Sequence, residues 1–382
     1  MLLKSWVSKT LGNAGITING NAPWDVRVNK ERFYRRAARG TLGLGEAYMD
    51  GDWEVESIDL FFRKLIGSNV GNSSIARLQR LRHDLSALMS NLQTRSRAKA
   101  VAEEHYDIDH RMYQQFLGPY NQYTCCFFDD TEELDQAEII KLEMICDKLE
   151  IKSTDKVLDI GCGWGGFAKY AASTRGCEVT GITLSTEQAA YAQTYTTDLT
   201  VEIIISDYRD LPTIREDRYD KVLVCGMIEH VGYKNYRRLM QVVSEMLKKD
   251  GLFLLHTIGN SHNTLITDPW IEKYIFRNSM IPSMKQLVDA VQDLFVVQDW
   301  ENYGHYYANT LKAWQDNFEK NWDTIKNLKT KRPFDTRFRR MWNYYLMCSK
   351  AAFDVESLLL WQIVMTRAGM RDGVYSRVNM VS

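Results

Sequence analysis

The chain has 382 residues, of which 45% are hydrophobic and 25% charged, and its net charge is −1. This ordinary globular balance allows one large domain with a smaller one, and it argues against a globally basic nucleic-acid-binding protein. Seven scattered cysteines form no C-x-x-C pair, which predicts neither a bound metal nor a disulfide framework and fits a reducing compartment. No apolar stretch is long enough for a membrane span and no signal peptide is recognised, so any lipid contact would be peripheral.

The first part of the chain, to about residue 85, mixes short elements with turn signals such as "INGNAPWD" and "GTLGLGEAYMDGDW". A helix is predicted after Ser74, because apolar residues recur there at helical spacing from Ile75 to Leu88. The polar and basic stretch "QTRSRAKA" at its end predicts a linker. We therefore expect an N-terminal domain over residues 1–85, a linker over 86–100 and a second domain over 101–382.

The second domain begins with "AEIIKLEMICDKLEI", which predicts an amphipathic helix. Buried strands are predicted for "KVLDI", "CEVTGITL", "LTVEIIISD", "YDKVLVCGM" and "GLFLLHTIG", and helices for "GGFAKYAAST", "EQAAYAQTY" and "YKNYRRLMQVVSEMLKK". This alternation predicts an α/β fold with a doubly wound sheet and helices on both faces. From about residue 260 the chain is rich in Trp and Tyr and mostly helical by pattern, so we expect it to cap the sheet.

The stretch "VLDIGCGWGG" carries three glycines at the G-x-G-x-x-G spacing, Gly161, Gly163 and Gly166. The predicted strand–turn–helix context makes this a cofactor loop, but the glycines alone do not choose the cofactor. A nicotinamide enzyme would carry an acid at the end of the next strand, and "GITLS" has none. An acid instead precedes the glycines at Asp159, and Asp207 ends "VEIIISD", where it could approach an adenine amino group.

This arrangement resembles the class I methyltransferases that use S-adenosylmethionine (AdoMet). More distinctive stretches resemble the cyclopropane-fatty-acyl-phospholipid synthases across essentially the whole chain. These stretches are "EHYDI", "YTCCFF", "GITLSTEQ", "MIEHVG", "LLHTIG", "DPWIEKYIF" and, near the N-terminus, "GLGEAYMDGDW". The resemblance implies a Rossmann-like seven-stranded sheet with a helical lid and a small N-terminal domain for lipid docking or dimerisation.

The resemblance also implies a reaction. Enzymes of this family transfer a methyl group from AdoMet to a cis double bond of a membrane phospholipid acyl chain, which yields a cyclopropane ring and S-adenosylhomocysteine. A bound bicarbonate serves them as base. The partners implied for this chain are therefore a cis-unsaturated phospholipid, the inner face of the cytoplasmic membrane and a second copy of the chain, with no nucleic acid.

The residues of the site follow from the same resemblance. For bicarbonate, the matching positions are Cys125, Glu229, His256, Ile258 and Tyr307, with Cys125 and Ile258 contributing chiefly backbone groups. For AdoMet, the loop from Asp159 to Gly166 is joined by residues on three further segments. The matching positions are Tyr123, Thr124, Asp159, Gly161, Cys162, Gly163, Thr183, Leu184, Ser185, Gln188, Asp207 and Tyr208. Gln188 could bond the ribose hydroxyls, and His230 is interpreted as structural.

The sequence departs from the family at one position. A cysteine in the late helix has been assigned as catalytic in parts of the family, and an ungapped alignment places Ser349 there, with Cys348 beside it. One residue turns a helical side chain by about 100°. Because the alkene attacks the sulfonium directly, the chemistry requires no cysteine nucleophile.

Several alternatives stay open at this point. The chain could methylate an amine or a branched lipid on the same scaffold, or bind lipid without catalysis. The Tyr and Trp residues of "WENYGHYYANTLKAW" could stabilise a cation or only pack a helix. Three basic clusters, at 77–82, 95–99 and 329–340, could face lipid or form a solvated surface.

Overall fold

A computed structural model describes residues 2–68, 109–262, 265, 267–330, 332–369 and 375. The helix predicted after Ser74, the linker over 86–100, the motif "EHYDI" and the basic clusters at 77–82 and 95–99 lie outside the described residues. The domain boundaries expected from the sequence therefore stay predictions.

Nine strands occur in the described part of the chain. Two form a small antiparallel pair near the N-terminus and seven form one mixed sheet in the order β5-β4-β3-β6-β7-β9-β8. In chain order the strands are β1 (Arg27–Val28), β2 (Trp53–Glu54), β3 (Lys156–Ile160), β4 (Glu178–Thr183), β5 (Val201–Ile205), β6 (Tyr219–Cys225), β7 (Leu247–Gly259), β8 (Phe295–Asn302) and β9 (Leu359–Arg367).

The α-helices of the described residues lie on both faces of the sheet and at its ends. In chain order they are α1 (Leu2–Asn13), α2 (Arg32–Ala37), α3 (Thr41–Met49), α4 (Ile58–Gly67), α5 (His110–Tyr113), α6 (Leu134–Lys148), α7 (Gly166–Arg175), α8 (Thr186–Tyr195), α9 (Leu211–Ile214), α10 (Tyr233–Met246), α11 (Pro269–Tyr274), α12 (Met284–Val291), α13 (Gly304–Lys320), α14 (Trp322–Lys326) and α15 (Thr336–Asp354).

The strand order reverses between β3 and β6. The chain builds β3, β4 and β5 outward in one direction and then returns to place β6 on the other side of β3. In open α/β sheets such a reversal opens a crevice at the carboxyl ends of the strands, where ligands bind. Asp159 lies at that end of β3 and Glu229 follows β6, so the topology brings both to one edge.

The last two strands differ from the expectation that the chain beyond residue 260 only caps the sheet. Strands β8 and β9 return to the sheet antiparallel, with β9 paired to both β7 and β8. Strand β9 is buried on both faces, so its sequence "LLWQIVMTR" shows no alternation that would separate it from the helices around it. Helices α13 and α15 form the cap predicted from the sequence.

Residues 2–68 pack onto this cap and share one hydrophobic core with it. Ion pairs join the two parts: Arg337 with Asp50 at 2.9 Å and Arg340 with Glu54 at 2.9 Å. Arg339 of the same run pairs with Glu319. The basic cluster at 329–340 is thus engaged in ion pairs within the fold at these three arginines.

Among the described residues, no helix is both long and apolar enough to cross a bilayer.

A close contact between the N-terminal helix α3 and helix α11 supplies a test. A Cβ added at Gly45 on α3 would lie 2.4 Å from the indole of Trp270, which is buried on α11. We expect Gly45→Ala to lower the free energy of unfolding by about 1–3 kcal/mol, because the indole must move within a packed core. Chemical denaturation followed by tryptophan fluorescence measures it.

Gly12→Ala is the matched control. A Cβ at Gly12 on α1 meets nothing within 4 Å, so its unfolding free energy should be unchanged or slightly higher. Equal losses in the two variants would show that Trp270 does not fix the N-terminal helices on the cap.

Candidate active site

The glycine loop follows β3 and is open at Gly163, where an added Cβ would meet nothing within 4 Å. Gly161 has φ +90°, in the left-handed region that glycine tolerates. A Cβ at Gly166 would lie 1.9 Å from the carbonyl oxygen of Tyr120, so only glycine allows helix α7 to begin there. Asp159 is 2% exposed, and burial raises the pKa of its carboxyl to about 7, against the charge of Lys141. The Asp159 carboxyl therefore changes its charge near pH 7.

Two buried charged residues of α6 hold the segment that crosses this loop. The Glu138 carboxylate accepts from the backbone N–H groups of Tyr120 and Gln122 at 2.7 and 2.8 Å. Lys141 Nζ donates to Gln122 Oε1 at 2.7 Å and to Thr124 Oγ1 at 3.1 Å. These contacts fix the backbone that leads into "YTCCFF".

Residues near the ends of β4 and β5 are tied by local bonds. Thr183 Oγ1 donates to Gln188 Oε1 at 2.8 Å, and Ser185 caps α8 by accepting from the Gln188 N–H. The Asp207 carboxylate accepts from the backbone and the guanidinium of Arg209 at 2.7–2.9 Å. Thr183, Ser185, Gln188 and Asp207 thus lie at or just after the carboxyl ends of β4 and β5, and these bonds fix their arrangement.

Glu229 follows β6 in a short 3₁₀ turn and is buried. Its Oε1 accepts from the Ile258 N–H at 2.8 Å, whereas its buried Oε2 has no hydrogen-bond partner in the described part of the chain. Burial raises the pKa of this carboxyl. Of the Ile258 backbone groups, which the family resemblance implies for bicarbonate, the N–H is therefore engaged with Glu229 here. This bond fixes the orientation of the Glu229 carboxylate.

His256 lies on β7 beside Gln362 of β9, and both are buried. The Gln362 Nε2 lies 3.2 Å from His256 Nδ1. In this orientation the amide NH₂ donates, so Nδ1 is the acceptor and the imidazole proton resides on Nε2. Burial, reinforced by Lys141 and Lys148, lowers the pKa of His256 well below its usual value. The result is a neutral imidazole whose buried Nε2–H finds no partner among the described residues.

Tyr307 and Cys125 complete the group named by the resemblance. Tyr307 on α13 stacks on Phe353 of α15 at 4.6 Å between centroids, and burial raises the pKa of its hydroxyl well above the usual value. Thr310, one turn later on α13, accepts from the Cys126 N–H at 3.0 Å. This contact holds the Cys125 backbone beside the helix that carries Tyr307. Burial also raises the pKa of the Cys125 thiol, so it stays protonated.

The aromatic residues of the 300–314 stretch divide between two places. Trp314 stacks on Tyr123 at 5.2 Å, next to the site, and meets Tyr307 edge-on. Trp300 instead packs against Trp361 in the core on the other side of the sheet. Only part of the stretch can therefore face a ligand.

Cys348 does not have the properties of a nucleophile. Burial raises the pKa of its thiol, and the Asp268 charge raises it further. A thiolate is the reactive form, so this environment disfavours it.

Sequence reasoning missed Lys141, Glu138 and Gln362. Lys141 had a readable signal: in α6 it shares a helical stripe with Lys148 and with the apolar residues Ala137 and Met144. A charged side chain on a core-facing stripe must find partners. Gln362 had no signal in the sequence, because its contact with His256 depends on the pairing of two strands whose residues are more than 100 positions apart.

Comparison with known proteins gives matches over most of the chain. The model of the family "Mycolic acid cyclopropane synthetase" matches residues 93–363. A cyclopropane-fatty-acyl-phospholipid synthase of Escherichia coli is 42% identical over 96% of this chain and 94% of its own. Tuberculostearic acid methyltransferase UfaA1 of Mycobacterium tuberculosis is 30% identical over 88% of this chain and 81% of its own.

Solved structures share the fold. The cyclopropane synthase MmaA2 of Mycobacterium tuberculosis has a TM-score of 0.62 at 22% identity, over 72% of this chain and 99% of its own. Coclaurine N-methyltransferase has a TM-score of 0.68 at 23% identity, over 85% and 98%. The sheet is thus that of the class I AdoMet-dependent methyltransferases, and by its sequence the chain is an enzyme of the mycolic acid cyclopropane synthetase family.

Proposed function

We propose that this enzyme transfers a methylene unit from AdoMet to the cis double bond of a phospholipid acyl chain and so forms a cyclopropane ring. The kinship with the Escherichia coli synthase supports the substrate class. The observation that carries the proposal is that Glu229 Oε2 and His256 Nε2 are two of the buried polar atoms that have no partner in the described chain.

This pair fits bicarbonate. The ion has one O–H donor and two further oxygens that accept. A carboxylate oxygen at Glu229 would accept from the O–H, and the neutral His256 would donate from Nε2. The Tyr307 hydroxyl, kept protonated by burial, is a further donor. When bound, bicarbonate would supply a base for the proton that leaves the transferred carbon.

The residues of the glycine loop fit AdoMet. The cofactor carries an ammonium and a sulfonium, and Asp159 is a buried acid that can attract them. Gly161 and Gly163, which follow Asp159, have no side chains to cover it, and the space around Gly163 is open. When bound, AdoMet supplies the methyl group, and S-adenosylhomocysteine is the leaving group of the transfer. Gln188 and Asp207, at the ends of β4 and β5, are proposed to contact the ribose and the adenine.

The surrounding residues are proposed to stabilise a carbocation on the acyl chain and to keep water away from it. When the π electrons of an alkene form the new C–C bond, a cation remains on the acyl chain. Loss of a proton from the new carbon lets that electron pair close the ring. Water would capture the cation, so the site must be dry. Tyr123 and Trp314 are buried or half-buried aromatic rings beside it, and their faces stabilise positive charge.

Glu229→Gln tests the reaction. Purified enzyme with AdoMet and cis-unsaturated phospholipid should give acyl chains heavier by one CH₂ and without a double bond, measured by mass spectrometry after ozonolysis. The substitution removes the acceptor for the bicarbonate O–H, so turnover should fall at least about 100-fold. An amine methyltransferase, whose reaction forms no carbocation, would lose little.

Cys348→Ala is the control and should keep near-normal turnover, because the thiol takes no part. A product that retains its double bond would instead indicate a methyl-branching enzyme. Absence of any lipid product, with and without added bicarbonate, would refute the proposal.

AdoMet affinity should depend on pH through Asp159. The carboxyl ionises with a pKa of about 7, and only its anionic form attracts a cation. The dissociation constant should therefore rise about tenfold per pH unit below that value and level off above it. Isothermal titration calorimetry across this range measures it. Asp159→Asn should bind more weakly and independently of pH, and an equal pH dependence in this variant would assign the effect elsewhere.

Gln362 should act as a positioning residue for His256. Gln362→Met keeps the volume but removes the donor to Nδ1, so the imidazole is free to change tautomer. Turnover should fall about tenfold while AdoMet affinity holds. With ¹⁵N-labelled histidine, NMR should show His256 protonated at Nε2 in the parent and a tautomer mixture in the variant. An unchanged spectrum would contradict this role.

A further inference from the structure

Helix α1 presents apolar side chains to solvent. Its inner face is formed by Val7 and Leu11, which are buried in the N-terminal core. Leu2, Leu3 and Trp6 are 90%, 51% and 42% exposed. Leu2 and Trp6 are four residues apart and therefore lie on one side of the helix. We call Leu2, Leu3 and Trp6 the N-terminal apolar face.

The charge around this face is strongly uneven. Residues 1–39 contain eight Lys and Arg residues and two acidic residues, in a chain whose net charge is −1. The acidic residues that pair with Arg32 and Arg36 belong to the same unit, with Asp52 fully buried. Four basic residues remain exposed with no ion pair to any described residue: Lys9, Arg27, Arg35 and Arg39.

Two of these basic residues can be placed beside the apolar face. Lys9 follows Trp6 by three residues, on the same side of α1. Lys4 of α1 pairs with Glu31 and lies over the ring of Tyr34, so α1 packs against the start of α2. Arg35 lies four residues beyond Glu31 and so stands on the α2 surface next to α1.

We propose that the N-terminal apolar face is a docking surface for a bilayer with anionic headgroups. A helix with apolar side chains outward and basic residues beside them binds at such an interface, where acyl chains take the apolar groups and phosphates meet the cations. A second copy of the chain fits less well, because a two-fold contact would bring the same basic residues against each other. The inference rests on the proposed function, whose substrate lies within a bilayer.

The surface is connected to the site through packed helices. Helix α1 packs on α2, α2 packs on α3, and both α3 and α4 pack on α15, where Lys350 bonds Asp59 at 3.1 Å. Phe353 of α15 stacks on Tyr307. Docking through α1 would thus set the orientation of the cap relative to the membrane, without a spanning helix.

Co-sedimentation of the full chain with vesicles tests the surface. Leu2→Glu with Trp6→Glu should lower partition onto phosphatidylglycerol-containing vesicles at least about tenfold, because charged groups replace inserted apolar ones. Acidic residues in the first turn favour a helix, so α1 should persist, as circular dichroism would show. Met284→Glu with Val288→Glu is the matched control, since these residues have the same spacing on α12 and are also exposed apolar side chains, at 51% and 48%.

A second pair of variants tests the charge. Lys9→Gln and Arg35→Gln should each lower partition onto phosphatidylglycerol vesicles about fivefold, with no effect on phosphatidylcholine vesicles. Unchanged partition in all the N-terminal variants would overturn the docking surface. A change of oligomeric state in sedimentation velocity, with unchanged vesicle partition, would assign the face to a second copy and would also overturn it.

Detergent-dispersed phospholipid separates this inference from the proposed function. The docking variants should methylate dispersed lipid at the parent rate, since they lie outside the site. If the parent enzyme fails on dispersed lipid, the proposed function fails whatever the vesicles show. If the parent succeeds and the variants bind vesicles normally, only the docking surface is refuted.

Discussion

Burial of Glu229 Oε2 and His256 Nε2 without partners in the described chain is the constraint on which the rest of the site depends. Leaving a polar atom unsatisfied in the interior costs about 1–3 kcal/mol. A fold keeps such atoms only when other contacts over-determine their positions. Here the second polar atom of each side chain is hydrogen-bonded within the fold. Glu229 Oε1 accepts from the Ile258 backbone amide, and His256 Nδ1 accepts from the Gln362 side-chain amide.

These anchors come from two interior strands of the sheet. Ile258 and His256 lie on β7, and Gln362 lies on β9, which is paired antiparallel to it. Strands in the middle of a sheet are hydrogen-bonded on both edges and exchange little with disordered states. The orphaned atoms are therefore held by some of the most constrained backbone in the molecule. The antiparallel return of β9 supplies the amide that sets the imidazole tautomer, which a purely parallel sheet ending at β7 would lack.

Local patterns in the sequence predicted the parts of the structure that depend on local physics. The alternation from "KVLDI" to "GLFLLHTIG" gave five strands close to their observed bounds, because each is a short apolar run bounded by turns. The glycine loop was predicted because its backbone conformation restricts the residue type. Tyr307 and His256, in contrast, were reached only through a family resemblance, since nothing in their own neighbourhoods separates a site residue from a core residue.

What the sequence could not predict depends on partners far along the chain. Gln362 reads as one polar residue in an apolar run, and its use appears only when β9 is placed beside β7. The arginines at 337, 339 and 340 read as a basic surface, yet they pair with acidic residues up to 287 positions away. Charge patterning shows where charges are, whereas ion pairing depends on the tertiary fold.

Lys141 links the two halves of the site. Its ammonium opposes the effect of burial on Asp159 and so favours the anion there, and it also lowers the pKa of His256 and so favours the neutral imidazole. The proposed chemistry needs both states together: a carboxylate for the cationic methyl donor, and an imidazole with one proton to share with an anion. The same Nζ holds Gln122 and Thr124 in the segment between them. One buried charge thus serves the geometry of the loop and the protonation of both sites, which explains why a lysine occupies a core-facing position of α6.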